Sequence, residues 1–410
     1  MKNSIKVVAL LGLSAATLSA SGWRIPEQSL NSTALAAAYV AGAHGADASY
    51  YNPANMVWND DASEMEMALT YIGLSKIKYT DAQDPSINDK SKGEDFLVPT
   101  FHYVSPAVGN WRFGLSLVAP GGLSKRWDGT FQKLKAEEFT LTILELNPTV
   151  AYKINDQFAV GFGLRGVYSS GEINMEFDHP RAGKLYDNEM EADSFDFGYN
   201  LALSYKPIEN LTLSTTYRSK VDLTVSGDAT TTLSNGALDI SGDVKTTVPL
   251  PASLAIAAAY TMSKTTIELV YEKTYWSAYD SLQFKFENPI ANQLFGAKQD
   301  KNWEDVDSYR IGVSHQATDD LRIMAGFAID KNPVPDEHVS FELPDSDAKL
   351  YSIGLEYAIN SDMKIGLAYL YDEKESRTVN TRTATNPLGA YGTFEDASAH
   401  LVTASFKYKF

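Results

Sequence analysis

The chain has 410 residues, no cysteine, a formal net charge of −17 and 11% aromatic residues, with Tyr (23) and Phe (18) well ahead of Trp (6). So acidic a chain repels phosphates and excludes nucleic acid as a partner, and without cysteine no disulfide can staple the fold. A soluble chain this long usually divides into two or more domains, yet no linker-like stretch interrupts it, which favours one large unit.

Residues 1–20 carry Lys2 and Lys6, then an apolar run over 7–18, then Ser19 and Ala20. That order reads as a secretory signal peptide, and the apolar run is too short to span a bilayer. No later segment reaches the eighteen or so apolar residues of a membrane helix. Residues 21–60 follow as the one long stretch without strand character. Small residues fill its middle (Ala34, Ala36, Ala37, Ala38, Ala41, Gly42, Ala43, Gly45, Ala46) and the turn Asn52-Pro53-Ala54 closes it. Alanine-rich, helix-capable pieces broken by Gly and Pro suit a small, partly helical plug.

From residue 61 to 410 the pattern changes to period two. Phe195, Phe197, Tyr199, Leu201, Leu203 and Tyr205 share one face against Asp196, Gly198, Asn200, Ala202 and Ser204. Ile267, Leu269 and Tyr271 oppose Glu268 and Glu272, and Tyr351, Ile353, Leu355 and Tyr357 oppose Ser352, Gly354 and Glu356. Such alternation marks strands with one apolar and one polar face. Tight turns fall at Val108-Gly109-Asn110, Asn155-Asp156, Ile208-Glu209-Asn210, Ser263-Lys264, Asp319-Asp320 and Asn360-Ser361-Asp362. Longer polar connections lie between them, at about 73–96, 121–138, 171–193, 224–246, 281–304, 331–347 and 373–396. Six short turns alternating with seven long loops predict fourteen strands in an up-and-down arrangement.

In a secreted β-sandwich the apolar face would be a dry interior of small aliphatics. Here the polar face carries Arg165, Arg218, Lys220, Glu268, Glu272, Arg310, Arg322 and Glu356, too many charges for a core. The apolar face carries Tyr and Phe near strand ends, as girdles at a lipid boundary do. Apolar residues facing lipid and charges facing the lumen satisfy both, and an open sheet edge in hydrocarbon would strand backbone groups, so the sheet must close. The expected fold is an all-β transmembrane protein: a 14-stranded antiparallel outer-membrane β-barrel with a plug in its lumen. Its surroundings would be outer-membrane lipid and lipopolysaccharide of a Gram-negative cell, and its state monomeric.

Several short motifs occur in order along the chain: Ser21-Gly22-Trp23, Asn52-Pro53-Ala54, Pro120-Gly121-Gly122-Leu123, a run from Asn147-Pro148 to Lys153, and Pro251-Ala252-Ser253-Leu254-Ala255 followed by Tyr275-Trp276-Ser277. Pro333-Val334-Pro335-Asp336 and Leu343-Pro344-Asp345-Ser346-Asp347 complete the set. Each is an ordinary turn former alone; together and in this order they resemble the FadL/TodX family of outer-membrane transporters for long-chain fatty acids and other hydrophobic compounds. The resemblance implies a plugged barrel whose substrate leaves sideways through the wall at strand three. Gly114 and the Pro120-Gly121-Gly122 break would let that strand bend, with Asn52-Pro53-Ala54 seating the plug against the bend. Trp23 matches an aromatic near the family's ligand. A carboxylate head group needs a partly desolvated cation: Arg165 and Arg218 in the lumen, or Lys125 and Arg126 in the second external loop.

The six histidines show no metal-ligand spacing, and no nucleophile elbow, phosphate loop or dinucleotide fingerprint occurs. No enzyme, metal or cofactor is expected. The expected function is passive uptake of long-chain fatty acids or similar hydrophobic molecules. Its rivals are an importer of neutral aromatic or aliphatic hydrocarbons, a general porin, and an adhesin-like role of the external loops.

Overall fold

A computed structural model describes residues 22–179, 183–233, 236–383 and 386–410. The signal-peptide reading of residues 1–20 lies outside the described residues. Fourteen barrel strands follow the chain: β1 Glu64–Leu74, β2 Glu94–Val104, β3 Trp111–Arg126, β4 Glu138–Lys153, β5 Phe158–His179, β6 Gly183–Ile208, β7 in two pieces (Leu211–Arg218 and Val221–Leu233) and β8 in two pieces (Leu238–Leu250 and Ala252–Met262). The rest are β9 Thr265–Tyr275, β10 Val306–Gln316, β11 Leu321–Asp330, β12 Ala348–Ala358, β13 Met363–Lys374 and β14 Ser398–Lys409. Each pairs antiparallel with its chain neighbour, and β1 pairs with β14 from Glu64↔Lys409 to Leu74↔Ala399, closing the barrel. Ser63 and Phe410 exchange both backbone hydrogen bonds at the seam, each at 2.9 Å.

The side chains are turned inside out relative to a soluble sheet. On β9, Glu268 is 4% exposed and its neighbour Leu269 is 56% exposed. Among the described residues no helix is long and apolar enough to cross a membrane, and the outward apolar residues sit where lipid satisfies them.

One expectation about the strands changes. The stretches 171–193 and 224–246, read as long polar loops, are largely strand: β5 and β6 continue to His179 and from Gly183, and β7 and β8 to Leu233 and from Leu238. Alternation and the β-branched run Thr230-Thr231-Thr232 carry the ladder past the membrane band. Pro251, which has no N–H to give the ladder, separates the two pieces of β8. Ser219 and Lys220 interrupt β7 directly opposite, between the pairs Val221↔Leu250 and Arg218↔Ser253.

Residues 22–59 occupy the lumen as two short helices, α1 (Leu30–Ala34) and α2 (Ala48–Tyr51), and a 3-10 helix (Pro53–Trp58). Ser29 caps α1, its hydroxyl accepting the Ser32 N–H at 3.2 Å. The plug fits because the wall is lowered where it lies. Gly312, Gly326, Gly354 and Gly366 on β10 to β13 leave room for Ala38, Leu35, Ala34 and Leu30 respectively; a Cβ on any of the last three would collide, and one on Gly312 would crowd Ala38.

Candidate functional site

The site begins where the barrel ladder fails. β2 and β3 pair only over Val104↔Gly114, Tyr103↔Leu115, His102↔Ser116 and Phe101↔Leu117. Beyond that rung the strands part, although β2 stays paired with β1 along its whole length. On its other side β3 slips against β4 between Val118 and Gly121, skipping Ala119 and Pro120. Pro120 has no N–H to offer, and the glycines after it let the strand bulge and bend. Only glycine fits at 121, where a Cβ would stand 2.6 Å from the Trp23 carbonyl. The free stretch of β2 includes Pro99, one donor fewer on an open edge.

Plug residues 23–28 take the place of the missing strand. Gly122 N–H donates to the Trp23 carbonyl at 2.8 Å, Ile25 N–H to the Pro120 carbonyl at 2.9 Å, and Arg24 bridges Gly121 antiparallel. The Gln28 side-chain amide meets Ala119 on both sides: its Oε1 accepts the Ala119 N–H and its Nε2 donates to the Ala119 carbonyl, each at 2.8 Å. Arg24 is anchored in turn by Glu272 and Thr274 on β9, both at 2.7 Å.

Above this patch Trp23 packs into a box of aromatic rings. Trp276, Trp303 and Tyr279 lie with ring centroids 4.6, 4.9 and 5.0 Å from it. The indole N–H groups of Trp23 and Trp276 are buried without a hydrogen-bond partner among the described residues. Trp23 lines a narrow apolar cavity of about 60 Å³, together with Leu123, Phe139, Leu141, Val248 and Leu343. An outer apolar groove of about 400 Å³, reaching Tyr186, Leu294 and Phe295, shares Phe139, Ile173, Leu282, Phe284 and Glu342 with it. Lys301 and Glu342 stand at the junction, paired at 2.7 Å. Burial alone would lift the Glu342 carboxyl, but Lys301 and Lys135 outweigh it and bring it down to about 2.

Comparison with known proteins fits this geometry. A sequence profile described as outer membrane protein transport protein (OMPP1/FadL/TodX) matches residues 11–410. The chain belongs to that family. It is 24% identical over 373 residues to a long-chain fatty acid transport protein of Escherichia coli O6:H1, covering 81% of each chain. It is 23% identical over 390 residues to outer membrane protein P1 of Haemophilus influenzae, covering 86% of this chain and 82% of that one. Among solved structures, a Pseudomonas aeruginosa FadL homologue superposes with a TM-score of 0.82 at 17% identity, covering 95% of this chain and 99% of that one. The Pseudomonas putida toluene transporter TodX does so with 0.72 at 19% identity, covering 93% and 99%. The protein is thus a member of a family of outer-membrane transport proteins with a fourteen-stranded barrel.

The residues singled out in the sequence part into groups. Trp23, Pro120, Gly121 and Gly122 come together at the bend. Asn52, Pro53 and Ala54 do not: they seat the plug on β5, where a Cβ on Gly161 would lie 2.5 Å from the Ala54 nitrogen and 2.8 Å from Pro53 Cβ. Asn52 Nδ2 donates to the Val40 carbonyl at 2.9 Å, inside the plug. The bend is met by residues 23–28 instead, because they alone run alongside it in extended form. Gly114 lies below the bend, opposite Met56 and Ser49 of the plug.

Arg165 and Arg218 converge on Glu145 rather than on open space. Arg165 holds it at 2.9 Å and the Ser219 carbonyl at 2.5 Å; Arg218 pairs with the other oxygen and lies 4.2 Å over the Tyr50 ring. Lys125 and Arg126 belong to the last residues of β3, not to a loop, since β3 pairs with β4 through Arg126↔Glu138. Arg126 is taken by Glu94 at 3.0 Å and Glu138 at 2.5 Å. Lys125 is fully buried, and its ammonium has no hydrogen-bond partner among the described residues. Sequence reasoning missed Gln28, the Lys301–Glu342 pair and Glu145. The last had a signal: a lone carboxylate inside the apolar run 139–146.

Proposed function

We propose that the protein takes up long-chain fatty acids, or molecules of comparable hydrophobicity, without an energy source, and releases them sideways into the bilayer between β2 and β3. One observation carries the reading: Trp23 lines the apolar cavity, and the backbone of Trp23 is itself the stand-in partner of the broken β3. Substrate collected in the outer groove passes the Lys301–Glu342 junction into the cavity, and displacing residues 23–28 uncovers the gap. Burying a methylene is worth about 0.8 kcal/mol, so an acyl chain of about twelve methylenes loses on the order of 10 kcal/mol on meeting periplasmic water. Exit through the wall avoids that loss.

A fatty-acid head group finds unsatisfied donors here. The Trp23 and Trp276 indole N–H groups lack acceptors, and Lys301 can trade Glu342 for a carboxylate. Lys125, buried and with no hydrogen-bond partner for its ammonium among the described residues, is a further cation for a carboxylate. Names of similar proteins support both acids and hydrocarbons: one is a long-chain fatty acid transport protein, another a toluene transporter.

Titration of the purified protein with oleate tests the reading. Saturable binding should weaken about tenfold in Trp23→Ala and in Lys301→Met, each having lost one contact worth on the order of 1.4 kcal/mol. Large ion conductance in planar bilayers and no saturable oleate site would instead make it a porin. The second reading, a neutral hydrocarbon importer, is favoured by the existing Lys301–Glu342 pair, which leaves that cation no vacancy. Toluene or decane displacing oleate, with Lys301→Met neutral, would select it.

A further inference from the structure

We infer that Gln28 is the latch of the gap in the wall, its side-chain amide acting as a removable surrogate for the peptide group that β2 fails to supply at Ala119. A primary amide offers one carbonyl and two N–H donors, the groups of a peptide link, on a flexible stem. Here every one is used. Oε1 accepts from Ala119 N–H at 2.8 Å; Nε2 donates to the Ala119 carbonyl at 2.8 Å and to the Ile25 carbonyl at 3.0 Å.

Position makes the amide a latch rather than one more plug contact. The last pair between β2 and β3 before the gap is Phe101↔Leu117, and His102↔Ser116 is the pair next to it. His102 Nε2 lies 2.8 Å from the Gln28 carbonyl and its Nδ1 3.1 Å from Ser116 Oγ, which is 2.8 Å from Ser49 Oγ of the plug. With Nε2 donating to the carbonyl, Nδ1 accepts from the hydroxyl. Gln28 N–H donates to Tyr51 Oη at 2.6 Å. Both edges of the gap and the body of the plug therefore meet at one residue. Glycine or proline at the bend explains why the ladder breaks; Gln28 explains how buried Ala119 avoids an unpaired N–H and C=O while the gap is shut. A groove filled by substrate reaches Gln28 through the neighbouring segment 23–25, whose backbone bonds to β3 adjoin it.

The inference rests on the sideways-release reading, and hydrogen exchange at Ala119 separates the two. In Gln28→Met, exchange at the Ala119 amide should rise roughly tenfold or more, the loss of two neutral hydrogen bonds, while amides 40–42, held elsewhere by Glu268, keep wild-type protection. Gln28→Glu keeps an acceptor for the Ala119 N–H but sets its second oxygen against the Ala119 and Ile25 carbonyls, so it should not restore wild-type protection. Oleate added to the wild-type protein should raise exchange at Ala119 as well, and maximal uptake should rise in Gln28→Met with oleate affinity unchanged. Unaltered protection at Ala119 in Gln28→Met overturns the latch, and so does a parallel rise at 40–42, which would mean a loosened plug. Whether the gap is an exit is read apart from this, in wild-type protein, by whether a fatty acid bearing a terminal diazirine labels Leu97 and Leu117 beside it. Labelling there with Ala119 unaffected by Gln28→Met leaves the exit standing and removes the latch.

Discussion

Glu268 on the barrel wall holds Val40 of the plug: its carboxylate accepts the Val40 N–H at 2.6 Å, and then those of Ala41 at 2.6 Å and Gly42 at 3.0 Å. Three donors on one buried carboxylate form a clasp of charge-assisted hydrogen bonds, each worth about 1.5–3 kcal/mol. Glu268→Ala should raise amide exchange at 40–42 about a hundredfold and make single-channel conductance in planar bilayers measurable. A silent channel with normal exchange would mean the plug is held elsewhere.

The glycines of β10 to β13 make a second mechanical prediction. A Cβ at Gly326 collides with the Leu35 carbonyl group, and at Gly312 it would lie 3.0 Å from Ala38 Cβ. Gly326→Val should therefore unseat the plug without opening the barrel. Conductance should rise while the protein keeps its heat-resistant folded mobility on a gel. If the variant stays plugged, the close approach is relieved by a shift that the wall tolerates.

The arginines on β5 and β7 should matter for stability and not for substrate. Removing one partner of a buried ion pair leaves charge uncompensated, at about 3–5 kcal/mol. Arg165→Met should lower denaturant stability by that amount, because Glu145 keeps only Arg218, with oleate affinity within about twofold of wild type. A tenfold loss of affinity at unchanged stability would return Arg165 to the binding site.

Acidity should tighten the plug. Burial pushes the Glu27 carboxyl up to about 7, with Asp330 and Glu272 adding to it and Arg310 opposing. A raised acid pKa means the folded state holds a proton that the unfolded chain releases, so plug stability falls as pH rises from about 4.5 to 7. The loss is on the order of 3 kcal/mol by pH 8. Exchange of plug amides, corrected for intrinsic rate, should be faster at pH 8 than at pH 5, and Glu27→Gln should flatten the dependence. A flat profile in the wild type would contradict the assignment.

What the sequence disclosed, it disclosed through periodicity. Leu269 beside Glu268 announces an inverted sheet because each side chain has one tolerable neighbour, lipid or lumen. The count of strands followed from turn spacing alone. Extended hairpins were hidden since a polar strand above the membrane and a polar loop share a composition. The site was partly legible: Trp23 and the Pro120 break could be named, but their contact spans some hundred residues of chain. Arg165 and Glu145 are read from sequence only as charges on a lumen face; which pairs with which depends on barrel register. Gln28 had no signal, as a glutamine in a plug is compositionally ordinary.

On the proposed reading, substrate leaves through the wall between β2 and β3. Photo-cross-linking with a fatty acid carrying a terminal diazirine, in reconstituted bilayers, tests it most directly. Adducts should concentrate at Leu97 and Leu117, in excess over Leu269 and Ile353, which are at least as exposed on strands away from the gap. Adducts gathered instead around Trp58, Lys206 and Thr261, which line a separate chamber beneath the plug, with no excess beside the gap, would contradict it.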